Sequence, residues 1–129
     1  MIKYIILGFI LFIFSCKESK EYGNLQLPSR IQLTKIESLK NNPSEFNNDT
    51  LRIRGKLFIE LENVGIVNDG ISIWINNFKP AVKIEFGDKN YEILNNTNVE
   101  IIGKYKSGKT GHLGLYDGEF EEIFFIKTD

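Results

Sequence analysis

The feature that most constrains the fold is a two-residue alternation of apolar and polar side chains that begins after Thr50. Over residues 51–61 the odd positions are apolar except at Gly55, and most even positions are charged. Successive side chains of a strand point to opposite faces of a sheet, so the alternation predicts a strand with one buried face. The glycine in its middle predicts a bend or bulge of the kind that a tightly coiled sheet requires.

Residues 98–105 repeat this pattern, with Gly103 in the corresponding place. Shorter apolar segments lie at 64–67, 71–75, 81–86 and 120–127, with turn residues between several of them. Short strands at regular spacing indicate a small barrel or a sandwich. Because glycine bends the first and fourth strands, we predict an all-β fold with a small α contribution, namely a five- to six-stranded OB-like β-barrel.

A short helix is predicted to precede the barrel. Thr34 and Glu37 have the spacing of a capping box, and Ile36 and Leu39 then share one face of the helix. The sequence of residues 41–43, Asn-Asn-Pro, ends it. The aromatic residue that follows, Phe46, is expected to pack against the sheet.

The N-terminus has the three parts of a secretory signal: a charged start at Lys3, an apolar run over residues 4–14 and the small residue Ser15. The apolar run is too short for a membrane-spanning helix, which needs about 20 apolar residues. We therefore predict that residues 1–15 are a signal peptide.

Residues 13–16 resemble the lipobox of bacterial lipoproteins, in which an aliphatic residue stands three positions before a cysteine and a small residue directly before it. Ile13, Ser15 and Cys16 match these positions, whereas Phe14 is larger than the residue usual there. The resemblance implies acylation of Cys16 and a lipid anchor in the bacterial cell envelope, with the outer membrane or cell surface favoured. Several acyl chains on one residue hold a protein stably on a membrane. The alternative is an uncleaved signal anchor with an incidental cysteine.

Residues 17–32 have no apolar period and contain Gly23 and Pro28 among charged and polar residues. We predict a flexible tether over residues 16–33, of which residues 17–32 could reach roughly 50 Å when extended, and one domain over residues 34–129. With 16 Lys and Arg against 17 Asp and Glu, the chain is close to neutral. That balance argues against a nucleic-acid binder, which normally carries a basic surface.

The segments 42–46 and 51–55 resemble the opening of small bacterial OB-like domains, and 101–105 with 111–118 resembles their ending. The Gly-His-x-Gly-x-Tyr-x-Gly sequence of 111–118 is the most specific part. The resemblance spans roughly residues 36–127 and implies a fold but no particular activity. OB-fold proteins in general bind oligonucleotides or oligosaccharides over strands 2 and 3 and the loops beside them.

Residues 103–110 satisfy the phosphate-loop pattern G-x-x-x-x-G-K-[ST]. A phosphate loop needs a helix that begins near Lys109, but Gly111, Gly114 and Gly118 follow closely. We interpret the segment as a flexible hairpin loop, and a small nucleotide-dependent enzyme as the least favoured function.

Other candidate residues predict binding better than catalysis. His112 is the single histidine and Cys16 the single cysteine, so neither a multi-histidine metal site nor an internal disulfide is expected. Trp74 is predicted on the polar face of its strand, as a stacking platform or under a cover formed by the tether or the first helix. Basic residues on two strands are candidates for an anion site: Arg52, Arg54, Lys56, Lys104, Lys106 and Lys109.

These patterns predict a membrane-anchored lipoprotein that acts as a non-catalytic binding module, without cofactor or metal. Its expected partners are the membrane, through Cys16, and an envelope protein or polysaccharide. The alternative is an OB domain that binds oligosaccharide or nucleic acid. Candidate contact residues are Trp74, Lys106, Lys109, His112 and Tyr116.

Overall fold

The computed structural model of the protein describes residues 18–61, 63–87 and 93–129. The strands are β1 (Lys20–Gly23), β2 (Thr50–Glu60), β3 (Asn63–Asn68), β4 (Ile71–Ile75), β5 (Thr97–Thr110) and β6 (Tyr116–Thr128). The helices include α1 (Ile36–Asn41), α2 (Pro80–Phe86) and single 3-10 turns at Leu27–Ser29, Pro43–Phe46 and His112–Gly114. The predicted signal peptide and Cys16 lie outside the described residues.

Strands β2 to β6 close into a five-stranded barrel, and β1 adds a sixth strand at the edge of β6. The first and fourth barrel strands, β2 and β5, pair antiparallel. A circuit through paired residues starts at Ser107 and returns to β5 at Thr97, ten positions earlier. Such a stagger requires strongly tilted strands, as in a small closed barrel. The prediction of an all-β, OB-like barrel is confirmed.

The two strand glycines lie where a neighbouring strand leaves no space for a side chain. A Cβ on Gly55 would lie 2.6 Å from Ile66 Cγ1, and one on Gly103 would lie 2.5 Å from the carbonyl oxygen of Glu122. Real Cβ atoms do not approach other heavy atoms so closely, so both positions require glycine. The β5–β6 register also shifts between Ile102 and Gly103, as expected for a bulge, whereas the β2–β5 register is continuous through Gly55.

The helix predicted after Thr34 is present as α1, but its start differs from the prediction. Leu39 is fully buried, and Ile36 and Phe46 pack against the core, as expected. The capping box is wrong, because α1 begins at Ile36 and its N-terminus has no side-chain cap. The backbone N–H of Thr34 instead donates to the Arg52 carbonyl at 2.7 Å, which holds this residue on the edge of β2.

The strand predicted over residues 81–86 is wrong, since this segment forms α2. Pro80 occupies the first turn of the helix, where its missing N–H costs nothing. Val82 and Phe86 are buried four positions apart, whereas Ile84 is exposed. The helical period therefore decides which side chains of this segment reach the core.

The tether predicted over residues 16–33 differs from the structure from Lys20 onward. β1 pairs with the end of β6, from Lys20 opposite Thr128 to Gly23 opposite Phe125. Further along, one guanidinium nitrogen of Arg52 donates to the carbonyls of Pro28 and Ile31, at 2.7 and 3.2 Å. The segment is attached to the barrel because its backbone groups find partners there.

Residues 103–110, interpreted as a loop, continue as strand β5 up to Thr110. The hairpin turn comes later, at His112–Gly114, and no α-helix starts at Lys109. Among the described residues, no helix is both long enough and apolar enough to cross a membrane.

Candidate binding surface

Two loops meet at one end of the barrel: the β2–β3 turn and the β5–β6 hairpin. The Tyr116 ring lies parallel to that of Phe58, with centroids 6.1 Å apart, and its hydroxyl donates to Asn63 Oδ1 at 2.9 Å. Burial raises the pKa of Tyr116, and the negative charge of Glu60 raises it further. The hydroxyl therefore stays protonated at neutral pH and keeps the two loops joined.

A cleft of about 450 Å³ lies between these loops and is lined by Glu60, Leu61, Asn63 and His112. His112 is exposed at the start of the 3-10 turn of the hairpin. The structure thus brings two of the predicted contact residues, His112 and Tyr116, to the same end of the barrel. Tyr116 is buried and positions the loops, whereas His112 faces the cleft.

Three leucines project into solvent from the same two loops. Leu61 is 100% exposed, Leu113 81% and Leu115 67%. We call these three residues, together with His112, the leucine patch. Leu61 and Leu113 also have left-handed backbone conformations, with φ of 52° and 57°. An L-residue with a side chain such as leucine rarely adopts this conformation.

Trp74 is half-buried, and its cover is the β5–β6 hairpin. A Cβ on Gly111 would lie 3.0 Å from Cγ of the indole and 2.5 Å from the Tyr116 ring. This contact with the hairpin was not predicted, since we expected the tether or the first helix to cover Trp74. Gly111 also has a φ of 77°, so glycine is required here for both space and conformation.

Lys109 belongs to a polar cluster beside this hairpin. Its ammonium lies 2.6 Å from Asp117 Oδ1, while Asp117 Oδ2 accepts hydrogen bonds from the backbone N–H and hydroxyl of Ser72 at 3.0 and 3.3 Å. Burial alone would raise the pKa of Asp117. The hydrogen bonds and the charge of Lys109 outweigh burial, and the pKa lies below its ordinary value of 3.8.

The other β5 lysines also face carboxylates. Lys106 lies 3.9 Å from Glu119 and 3.7 Å from Glu121, and Lys104 lies 3.6 Å from Glu121. Thr110 donates to Glu119 at 3.0 Å. The row of lysines predicted as a candidate anion site is therefore interleaved with acidic residues of β6.

The β2 part of the basic row is arranged around one buried carboxylate. Glu100 accepts hydrogen bonds from Arg52 at 2.7 Å and from Arg54 at 2.9 Å. Desolvation acts to raise the pKa of Glu100, but the two arginines lower it below its ordinary value of 4.5. We call Glu100, Arg52 and Arg54 the arginine latch, because Arg52 also holds the carbonyls of Pro28 and Ile31.

Leu61, Leu113 and Leu115 were not among the predicted site residues. Each lies in or beside a turn, where a single apolar residue is normal. They form one surface because two loops that are distant in the sequence meet in the structure. In the described part of the chain, no group of three or more His, Cys, Asp or Glu side chains is placed to hold a metal ion.

Comparisons with known proteins find no relative. No protein-family model matches the chain, and no curated protein or solved structure is significantly similar to it.

Proposed function

We propose that this protein is a lipoprotein whose barrel acts as a non-catalytic binding module in the bacterial cell envelope, with its partner bound at the leucine patch. The observation that carries the proposal is the combination of exposure and backbone strain at Leu61 and Leu113. The anchor is the acylated Cys16, as the signal peptide and lipobox-like sequence of residues 1–16 indicate.

The stability of the fold does not explain why leucine occupies positions 61 and 113. A left-handed conformation costs an L-residue about 1–2 kcal/mol, and an exposed side chain recovers none of this by burial. Asparagine or glycine would adopt the same backbone at lower cost. Exposed apolar groups on strained loops beside a cleft are typical of surfaces that are buried by a partner.

A protein partner fits this surface best. Leu61, Leu113 and Leu115 offer apolar area for a buried centre, and His112 and Asn63 lie beside them as polar groups of a rim. An envelope polysaccharide is the second candidate, because sugars stack on aromatic rings and Trp74 retains partial exposure on the adjoining strand. Against nucleic acid stands the pairing of Lys104, Lys106 and Lys109 with carboxylates.

The decisive experiment is capture of envelope components by the full-length, lipidated protein and by two variants. Leu61→Asn/Leu113→Asn removes the apolar tips while its new residues tolerate a positive φ. Val67→Thr is the matched control, because Val67 is an exposed apolar residue of β3 that does not line the cleft.

We expect the wild type and Val67→Thr to retain the same protein, and the asparagine variant to lose it without any fall in Tm. Retention of the partner by the asparagine variant would contradict the leucine patch. Retention of polysaccharide instead of protein would favour the second candidate. The anchor is tested separately by fatty-acid labelling, which Cys16→Ser should abolish.

A further inference from the structure

The chain between Cys16 and the first strand of the sheet is much shorter than the predicted tether. β1 begins at Lys20, four residues beyond Cys16, and a fully extended chain of that length reaches at most about 14 Å. β1 is itself hydrogen-bonded to β6 as part of the barrel sheet. If Cys16 carries the lipid, as proposed above, the barrel surface around β1 is therefore close to the lipid headgroups.

β1 is joined to α2 as well as to β6. The backbone N–H of Gly23 donates to Glu85 Oε2 at 2.6 Å, and the rings of Tyr22 and Phe86 meet edge to face at 5.0 Å. The position of α2 relative to the anchor point is thus fixed through β1.

An apolar cleft of about 530 Å³ opens between α2 and the segment that follows β1. Its apolar lining comprises Leu27, Ile31, Ala81, Val82 and Phe124. Ile84, one helical turn beyond Ala81, is 79% exposed, and Leu25, beside the lining residue Asn24, is 60% exposed. We call the surface formed by Leu25, Leu27, Ile31, Ala81, Ile84 and Phe124 the anchor-side face.

Two lysines border this face. Lys79 lies over the Phe124 ring, with its ammonium 4.3 Å from the ring centroid, and Lys83 is exposed one turn further along α2. Neither makes an ion pair with any residue that the structure describes. Glu85, the acidic residue of the same helix, accepts a hydrogen bond from the backbone N–H of Gly23. Apolar side chains bordered by lysines match the chemistry of a surface with anionic lipid headgroups.

A second surface near β1 is chemically different. It is a groove that contains Lys127, which lies opposite Glu21 of β1, and it mixes positive, negative and amide side chains. Its lining includes Arg54, Lys56, Asn68, Asp69, Asn98 and Asp129. Its acidic residues Asp69 and Asp129 oppose anionic headgroups, and its large apolar side chains among the described residues are only Val67 and Val99, so the anchor-side face is the better membrane-facing surface.

We propose that the anchor-side face rests on the phospholipid bilayer, so that the barrel lies on the membrane instead of standing clear of it. Ile84 and Leu25 reach into the interface between headgroups and acyl chains, and Lys79 and Lys83 contact anionic headgroups. The inference depends on acylation of Cys16, and its test is designed to separate the two.

The test uses the lipidated full-length protein in vesicles of phosphatidylethanolamine and phosphatidylglycerol. Cys16 is the single cysteine and its thiol carries the lipid, so a cysteine introduced by Ile84→Cys is the one free thiol for an environment-sensitive fluorophore. Leu113→Cys, in the leucine patch at the other end of β6, is the matched control. Both native residues are exposed, so neither change is expected to unfold the barrel.

We expect the probe at position 84 to shift to the blue and to be quenched by spin-labelled lipid, and the probe at position 113 to report water. A probe at position 84 that reports water in fully acylated protein would overturn the inference. So would a reversed pattern, with the probe at position 113 in lipid. Mass spectrometry of the same samples measures whether Cys16 is acylated. The absence of acyl chains would overturn the proposed function instead.

The lysines provide a second measurement. In the Ile84→Cys background, Lys83→Glu should reduce the quenching at least twofold in vesicles that contain phosphatidylglycerol. Lys56→Glu, an equal charge change in the polar groove, should leave it unchanged. Equal effects of the two substitutions would contradict the assignment of a specific face.

Discussion

The arginine latch and the leucine patch show opposite uses of the same small barrel. In the latch, a buried carboxylate has both oxygens engaged, and Arg52 fixes the segment after β1. In the patch, two leucines hold a strained backbone and expose their side chains completely or nearly so. The latch satisfies every group that it buries and stabilises the fold. The patch instead leaves apolar side chains in water, which is what we expect of the binding surface proposed above.

The largest effect is expected from Glu100→Gln. A neutral amide loses the charge that strengthens both hydrogen bonds. Because water can solvate the 65% exposed Arg54, we assign each bond about 1.5 kcal/mol, so that their loss costs about 3 kcal/mol. We expect the free energy of unfolding in urea to fall by about that amount. Glu121→Gln is the control, because Glu121 makes longer and more exposed contacts with Lys104 and Lys106. An equal loss in the control would show that the latch has no special role.

Acid should open the same latch. Because the pKa of Glu100 in the folded protein lies below its ordinary value of 4.5, the unfolded chain takes up its proton first as the pH falls. The contribution of Glu100 is therefore complete above about pH 4.5 and is lost as the pH falls through the lower, folded pKa. Urea unfolding at several pH values should show stability falling in this window, and Glu100→Gln should show a shallower fall.

Gly111→Ala tests the connection between the patch and the barrel. The new Cβ would meet Tyr116 and Trp74, and the residue would keep a φ of 77°. Overpacking of this kind costs about 1–3 kcal/mol, so we expect a loss of about 2 kcal/mol and a change in Trp74 fluorescence. Gly114→Ala, where no atom lies within 4 Å of the new Cβ, should cost less. A smaller loss at Gly111 than at Gly114 would contradict the packing described here.

The smallest effect has the opposite sign. Leu113→Asn places a residue that tolerates a left-handed backbone at a position where leucine is strained, so the protein should gain up to about 1 kcal/mol. Differential scanning calorimetry would detect the rise in Tm. Loss of stability would mean that Leu113 supports the fold, and the contrast between latch and patch would then fail.

Much of the fold could be predicted because alternation of side chains along a strand is a local property. Gly103 marked an irregular position correctly, since the β5–β6 register shifts there, and at both Gly55 and Gly103 a neighbouring strand leaves no room for a side chain. The segment 81–86 was assigned wrongly because its apolar residues fit both periods, and Pro80 was the signal that favoured a helix. The tether was assigned from its polar composition, whereas its order depends on Arg52, which lies 24 residues from Pro28 in sequence.

The candidate surface was less accessible to sequence reasoning. His112 and Tyr116 could be selected because of the glycine-rich sequence around them, and the structure places both at the hairpin. Leu61 is the first residue of the two-residue turn between the paired residues Glu60 and Asn63, where hairpin turns require a positive φ, but leucine is not a residue that announces such a turn. The lysines were visible in the sequence, but their carboxylate partners come from another strand.

The antiparallel pairing of β1 with β6 has a mechanical consequence. The membrane would pull on β1 at Lys20, beside the C-terminal end of β6, while a partner at the hairpin would hold β6 near Tyr116. Force between the two would slide β1 lengthwise along β6 and load the hydrogen bonds from Lys20 to Gly23 simultaneously. Bonds loaded in this shear geometry resist together, whereas a peeling force would break them one after another. β6 would thus transmit the force between the membrane and the partner.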